Sequence, residues 1–325
     1  MEWPLRRRVW VGLAGLALAG WWAFALRLGA WDLVRGPQDQ LHLPAGEQAV
    51  WVATLAFALP AQLLLTLAWG KGPTRTPWSA GKLYAVALLA LAAVHFGVLG
   101  AGTVNDDGPA YLFQARLLAA GHATAPPPPD LVHFDYSFLT VHGGRWFSYL
   151  QPGLSLLMVP GVWLGLPALP ILLVNAAVPV LARALARRLA GDAAGHWAGL
   201  LALTSPWFLI GGATVEPYLP LLALVGAAWW AVGQMARAVA APVTARWAAA
   251  AGLAIGAVVV LRSVEFGLLG LAFGAHQALR LRAAPRRVLL ESAALLVGVA
   301  PWIGVLLAYN HAVTGSATQV PMLLP

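Results

Sequence analysis

Leu83–Gly100, LYAVALLALAAVHFGVLG, carries no Lys, Arg, Asp or Glu, and five residues later the chain turns polar in Asn105–Gly121, NDDGPAYLFQARLLAAG. A helix needs about 20 apolar residues to cross the hydrocarbon core of a bilayer, so the first run reads as a membrane span. Asp106 and Asp107 follow directly. Desolvation disfavours the charged form of a carboxylate, which makes an acidic pair at the end of a membrane helix costly to keep. The pair therefore points to a site at the membrane–water boundary rather than to a packing role.

The whole chain fits that reading. Its 325 residues are 60% hydrophobic and only 10% charged, a balance outside the range of soluble domains and typical of a polytopic membrane protein. Sixteen tryptophans suit membrane interfaces. Cysteine is absent, which excludes disulfides, thiolate metal sites and cysteine nucleophiles. The net charge of +8 does not indicate nucleic acid, because the basic residues lie between apolar runs and not in one aromatic-laced patch.

Nine spans are expected: Val9–Leu28, Ala49–Trp69, Leu83–Gly100, Pro167–Ala186, Ala193–Gly212, Pro217–Met235, Trp247–Leu261, Phe266–Leu281 and Val288–Tyr309. The fold class is thus all-α, a polytopic integral membrane protein with interfacial helices in a long external loop. With the N-terminus cytoplasmic, the inner ends hold 15 of the 20 Lys and Arg, from Arg6–Arg8 through Arg183, Arg187 and Arg188 to Arg286 and Arg287. Only Arg27, Arg35, Arg116, Arg145 and Arg262 lie outside, which is the positive-inside asymmetry. Leu154–Leu166 is too short to span and reads as a helix in the outer interface. The first apolar segment is long, ends in Trp21–Trp22 and has no small-residue cleavage site, so it reads as a retained anchor.

Thr103–Gln151 is the long hydrophilic loop, and this topology places it outside. Pro109–Ala120 spaces Tyr111, Leu112, Ala115, Leu118 and Ala119 as one helical face, with Gln114 and Arg116 expected on the wet side. Gly121 stops that helix, and Pro126–Pro129 is a stiff spacer. His133–Tyr149 alternates aromatic and polar residues around Gly143–Gly144, the pattern of a short hairpin.

Four polar features converge on the outer face: Asp106/Asp107, Glu216, Arg262 with Glu265, and the aromatic hairpin bearing Arg145 and Trp146. Each has a structural alternative. Asp106 or Asp107 would cap the helix opening at Pro109, and Glu216 would sit at the positive end of the helix opening at Pro217. Arg262 opposes the charge asymmetry, and its simple alternative is a salt bridge to Glu265. The histidines have no metal-site spacing, and there is no Walker loop, dinucleotide fingerprint or nucleophile elbow.

Asp107-Gly-Pro-Ala-Tyr-Leu-Phe-Gln-Ala-Arg116 with Gly121 resembles the Asp-Glu-x-x-Tyr-x-x-x-Ala-Arg first external loop of GT-C membrane glycosyltransferases, among them the protein O-mannosyltransferase and aminoarabinose transferase-like families. Gly144-Arg-Trp-Phe-Ser-Tyr-Leu-Gln-Pro-Gly153 is similar to their Gly-Arg-Trp-x-Ser-Lys-Tyr-Pro-Pro-Gly segment. Ser205-Pro206 with Glu216-Pro217, then Leu261-Arg262, then Tyr309-Asn310 with Thr314-Gly315-Ser316, follow in the family's order. The resemblance covers Leu83 to the end. Gly108 stands where the second acidic residue is usual, and Tyr149, Leu150 and Gln151 replace the usual Lys, Tyr and Pro. Residues 1–82 form two N-terminal membrane helices, and residues 83–325 a GT-C-like catalytic module, expected to be incomplete at the C-terminus.

The resemblance implies transfer of a sugar from a polyprenyl-phosphate donor to a glycan, glycolipid or protein acceptor, on the non-cytoplasmic face of a bacterial inner membrane. It implies Asp107 or Asp106 as base, Glu216 as the second acid, and Arg262 with Arg145 as phosphate ligands. Tyr111, Arg116, Trp146 and Glu265 would complete substrate binding. No cofactor is required by any motif; a divalent cation, Mg²⁺ or Mn²⁺, suits hard oxygen ligands. The bilayer is a partner and nucleic acid is not. The alternative reading is a non-catalytic membrane protein of the same fold: a polyprenyl-lipid binder, a transporter or an accessory subunit.

Overall fold

The computed structural model describes residues 78–102, 107–130, 133–134 and 136–324. The expected spans Val9–Leu28 and Ala49–Trp69, and Asp106, lie outside the described residues. By compactness the chain divides into two units, one of Met1–Thr76 with Ala190–Trp197 and one of Pro77–Leu189 with Ala198–Pro325. Apart from the helix break at Ala190–Gly191, the second unit carries the features discussed below.

Helix α1, Ala80–Ala92, starts at Ser79, whose hydroxyl accepts from the Lys82 N–H at 3.1 Å, satisfying one of the free donors of the first turn. It buries Leu83, Ala87 and Leu91 at a four-residue repeat, then widens into a π-helical turn, Ala93–Val98, that buries His95. Helix α2, Asp107–Ala119, ends at Gly121, which takes the left-handed conformation (φ 81°) that stops it. One expectation for α2 is corrected. Gln114 does not face water: it is 1% exposed. It donates to the Ala123 carbonyl at 2.8 Å and accepts from the Ser148 N–H at 3.0 Å. Its helical phase puts it beside Tyr111 and Ala115, and the returning loop supplies the partners a buried amide requires.

Strands β1, Leu139–His142, and β2, Arg145–Ser148, form the expected hairpin, pairing Leu139 with Ser148 and His142 with Arg145. Gly143 and Gly144 both have positive φ (56° and 72°), as the favoured two-residue hairpin turn demands. Helix α3, Pro152–Trp163, has 12 residues, about 18 Å of rise and short of a span.

Helices α4, Leu169–Asn175, and α5, Ala177–Thr204, make one 36-residue apolar stretch. The helix breaks at Ala190 and at Gly191 (φ 86°). A methyl group at Gly199 would lie 3.1 Å from Arg183 Cβ, so the chain doubles back there. The expected spans Pro167–Ala186 and Ala193–Gly212 thus become the arms of one hairpin, with a boundary corrected. The second arm ends at Thr204, and a separate short helix α6, Pro206–Gly211, follows. Pro206 forces Ser205 into extended backbone (ψ 126°), the ordinary consequence of a residue preceding proline.

Helices α7, Tyr218–Arg237, α8, Ala241–Leu261, α9, Ser263–Leu281, and α10, Pro285–Thr314, complete the order. Among the described residues, five helices are long and apolar enough to cross a membrane: Ala80–Val98, Leu169–Thr204, Tyr218–Arg237, Ala241–Leu261 and Pro285–Thr314. The expected span Phe266–Leu281 lies in α9, which is not among the five; Glu265, His276, Gln277 and Arg280 interrupt its apolar character.

Two devices hold the α7–α10 layer. Gly252 and Gly256 on α8, spaced G-x-x-x-G, lie against α10, Gly252 at Gly298 and Gly256 at Val299. A Cβ at Gly252 would come within 2.1 Å of the Leu295 carbonyl, and one at Gly298 within 2.2 Å of the Ala249 carbonyl. Such stripes of small residues let helix backbones touch where lipid removes the usual hydrophobic drive. At the other end of the layer, Glu291 on α10 is fully buried. It accepts from Arg280 Nη1 at 2.7 Å and Arg287 Nε at 2.9 Å. Arg287 also donates to the Met235 and Ala238 carbonyls, at 3.0 and 3.1 Å, where α7 ends. One carboxylate thereby fastens three helices.

Candidate functional site

Asp107 opens α2, and Tyr111 follows one turn later on the buried face. Beneath them lies an apolar layer that includes Ala110, Leu150, Leu154, Val215 and Leu261. The Ser155 hydroxyl donates to the Tyr111 carbonyl at 3.0 Å, fastening α2 to α3. Gly153 lets α3 reach the end of α8: a Cβ there would stand 2.6 Å from the Val260 carbonyl carbon. Leu261 ends α8, and Arg262 leaves the helix in extended backbone (φ −156°, ψ 99°), which turns its side chain out of the helical repeat.

Arg262 and Glu265 form an ion pair across the first turn of α9. The guanidinium also lies over the Tyr218 ring, 5.1 Å from its centroid, a cation–π distance. Burial opposes its charge, yet the hydrogen bond and charge of Glu265, and then Tyr218, raise its affinity for the proton. Arg262 is a permanent cation held in a fixed direction.

The Tyr111 hydroxyl is pushed well above the ordinary tyrosine range. Burial is the largest cause; the Asp107 charge adds to it, Arg262 opposes it, and Tyr218 and Glu216 add further. Asp107, Glu216, Tyr218 and Arg262, drawn from three separate parts of the sequence, all lie within electrostatic reach of one phenol. Tyr111 stays protonated and can donate a hydrogen bond.

The loop carrying Glu216 is braced from behind. His95 Nδ1 lies 2.7 Å from the Ala213 carbonyl, and Asn175 Nδ2 donates to the Gly212 carbonyl at 2.9 Å. Both side chains are buried. Gly212 has no room for a side chain, since a Cβ would meet the Phe208 carbonyl at 2.3 Å.

The expected site residues therefore divide. Asp107, Tyr111, Glu216, Arg262 and Glu265 belong to one cluster, with Glu265 engaged as the ion-pair partner of Arg262. Arg145 instead donates to the Ala312 carbonyl near the end of α10, at 3.1 Å. Trp146 packs on Phe113 (ring centroids 4.4 Å) and pairs its backbone with Ala125. Arg116 is exposed in the last turn of α2. Among the described residues no group of three His, Asp or Glu could hold a metal ion.

Tyr218, His95 and Asn175 are participants that the sequence pattern did not single out. A signal for Tyr218 existed, because an aromatic directly after Glu216-Pro217 sits at the same helix start. His95 and Asn175 gave none; each is a lone polar residue in an apolar run, and only contacts reveal its task. In chemical terms, the cluster presents carboxylates, a phenolic donor and an anchored cation at the ends of helices. Comparison with family models, with curated proteins and with solved structures finds no match.

Proposed function

We propose that the chain is a membrane glycosyltransferase that moves a sugar from a polyprenyl-phosphate donor to an acceptor hydroxyl on the non-cytoplasmic face. One observation carries the reading: Asp107, Glu216 and Arg262 share a single electrostatic neighbourhood around Tyr111. Asp107 accepts the proton of the acceptor hydroxyl as its oxygen bonds to the anomeric carbon. The bond from that carbon to the phosphate oxygen breaks, and the lipid phosphate leaves with the electron pair. A base so placed contributes about 10²–10⁴-fold. Arg262 stabilises the developing phosphate charge, Tyr111 donates to an oxygen of the sugar or phosphate, and Glu216 orients the acceptor. Single displacement inverts the anomeric centre, by analogy with one-base glycosidases. Mg²⁺ or Mn²⁺ would have Asp107 and Glu216 as its oxygen ligands.

The same reading places the N-terminus in the cytoplasm, nine spans in a bacterial inner membrane, and α2 and α3 in the outer interface. The charge asymmetry of the sequence supports that orientation.

A second reading has one observation in its favour. Arg262 is already neutralised by Glu265, so a protein that only binds a polyprenyl lipid, or serves as an accessory subunit, would need no free cation. The deciding experiment incubates membranes holding the full chain with radiolabelled polyprenyl-phosphate sugars and compares Asp107→Asn. Carrier-dependent transfer lost in the variant supports the enzyme. Carrier binding without turnover, equal in both proteins, establishes the alternative and overturns the transferase.

A further inference from the structure

Helices α7, α8 and α10 are each long and apolar enough to cross a membrane. Arg287, in the first turn of α10, donates to the Met235 and Ala238 carbonyls where α7 ends. Helix α8 opens at Ala241, shortly after α7 closes at Arg237. The three helices therefore reach one membrane boundary together, and the turn joining α9 to α10, residues 282–284, lies at that same end.

Charge at this boundary is one-sided. Residues 217–325 hold seven arginines, no lysine and two carboxylates. Arg262 and Glu265 pair at the opposite end of α9, which leaves six arginines against Glu291. Glu291 takes Arg280 and Arg287, and Arg237 donates to the Gln234 amide oxygen at 3.0 Å. Arg246, Arg282 and Arg286 are exposed. Among the described residues, none of these three guanidinium groups has an ion-pair or hydrogen-bond partner.

The α9–α10 turn adds a second feature. Leu279 is 85% exposed and precedes Arg282 by one helical turn, while Leu289 is 63% exposed and follows Arg286 by one turn. Arg282 keeps helical backbone (φ −67°, ψ −35°), and residues three apart on a helix share a face. Both helices thus carry an unpaired cation at the turn and a bare apolar side chain one turn deeper in the layer. That is the profile of a phospholipid, a charged head above hydrocarbon. A soluble acidic partner would match the arginines alone. Planar guanidinium forks suit phosphate oxygens, and basic clusters beside membrane helices attract anionic lipid. A zwitterionic head brings a cation that the same cluster repels.

We propose that the α9–α10 turn is a binding site for anionic phospholipid. Arg282 and Arg286 hold the phosphodiester, Leu279 and Leu289 receive the acyl chains, and Arg246 adds attraction from the start of α8. Arg280 and Arg287 take no part, because Glu291 already engages them. The site stands at the far end of α9 from Arg262 and does not depend on the proposed transferase activity.

The test titrates phosphatidylglycerol or phosphatidylcholine of identical acyl chains into the detergent-solubilised full chain, with bound lipid counted by native mass spectrometry. Phosphatidylglycerol should bind at least about fivefold more tightly, since each arginine at a membrane surface is worth about that factor. Arg282→Gln and Arg286→Gln should each weaken it about fivefold, and the double variant about 25-fold, with phosphatidylcholine unchanged. Neither side chain has a described partner, so the fold survives both substitutions. Leu279→Ser with Leu289→Ser should weaken both lipids alike. Arg116→Gln, an exposed arginine on α2, should change nothing. Equal binding of the two lipids would overturn the proposal, as would a preference that survives the double variant or falls equally in Arg116→Gln. Glycerol 3-phosphate displacing the lipid at equal concentration would show a site for free phosphate esters, and polyglutamate displacing it would show a site for an acidic protein; either result overturns the lipid assignment.

Discussion

Gly298→Ala sets two opposed effects against each other at one position of α10. Replacing glycine by alanine inside a helix gains about 1 kcal/mol from backbone entropy alone. The added methyl, however, would stand 2.2 Å from the Ala249 carbonyl oxygen and 2.7 Å from the Leu253 nitrogen. Both neighbours are main chain, so no rotamer can relieve the contact. Ordinary separation begins at 3.4 Å, so α8 and α10 must part by about 3.4 − 2.2 = 1.2 Å here. Forcing a packed interface apart by a methyl costs about 1–3 kcal/mol, and helix pairing in lipid depends on close approach. A net loss of up to about 2 kcal/mol is expected once the propensity gain is deducted. Gly304, two turns along the same helix, is the internal control. No described atom lies within 4 Å of its Cβ position, so Gly304→Ala keeps the propensity gain and should stabilise. The assay is reversible unfolding in mixed micelles, followed by far-UV circular dichroism, with both variants side by side. Equal stabilisation by the two substitutions would refute the close packing of α8 on α10. Because α8 ends one residue before Arg262, Gly298→Ala should also lower whatever activity the site has, while Gly304→Ala leaves it alone.

Glu291→Gln removes from a fully buried position the carboxylate that Arg280 and Arg287 pair with; the two arginines left behind are part-exposed, so the loss should be about 1–3 kcal/mol, and unchanged stability in the same unfolding assay would contradict the three-helix fastening. Arg262→Lys keeps the charge but loses the planar contact over Tyr218, so sugar transfer should fall at least tenfold; wild-type rates in that variant would remove Arg262 from the site. Tyr111 has a folded-state proton affinity raised above its unfolded value, chiefly by burial. It therefore stabilises fully below the ordinary tyrosine range near pH ~10 and is expected to lose that contribution as pH climbs through the raised folded value. Stability measured from pH 7 to 11 should fall less steeply at the alkaline end in Tyr111→Phe, and identical slopes would place the phenol in water.

The membrane class, the short α3, the glycine-turned hairpin and the stop at Gly121 were all legible in the sequence. Each depends on a local cause: a run of apolar residues, a length below that of a span, two adjacent glycines, a residue free to take positive φ. The Arg262–Glu265 pair was legible for the same reason, since three residues on a helix start bring the side chains together. The wet-side placement of Gln114 failed because an amide's environment is set by what the loop brings back to it, here Ala123 and Ser148. Arg145 failed as a member of the cluster because its partner, the Ala312 carbonyl, comes from α10, 167 residues away.

Composition and periodicity determined that this chain places apolar helices in a membrane and gathers its few charges at their ends, because a bilayer tolerates nothing else. They could not determine which charges meet. That Asp107, Glu216 and Arg262 come within electrostatic reach of one tyrosine, and that Glu291 fastens three helices, was decided by how α3, α7, α8 and α10 pack. Helix packing is fixed by the shapes of facing surfaces, such as the contacts at Gly153, Gly252 and Gly298, and a linear pattern does not record which surfaces face.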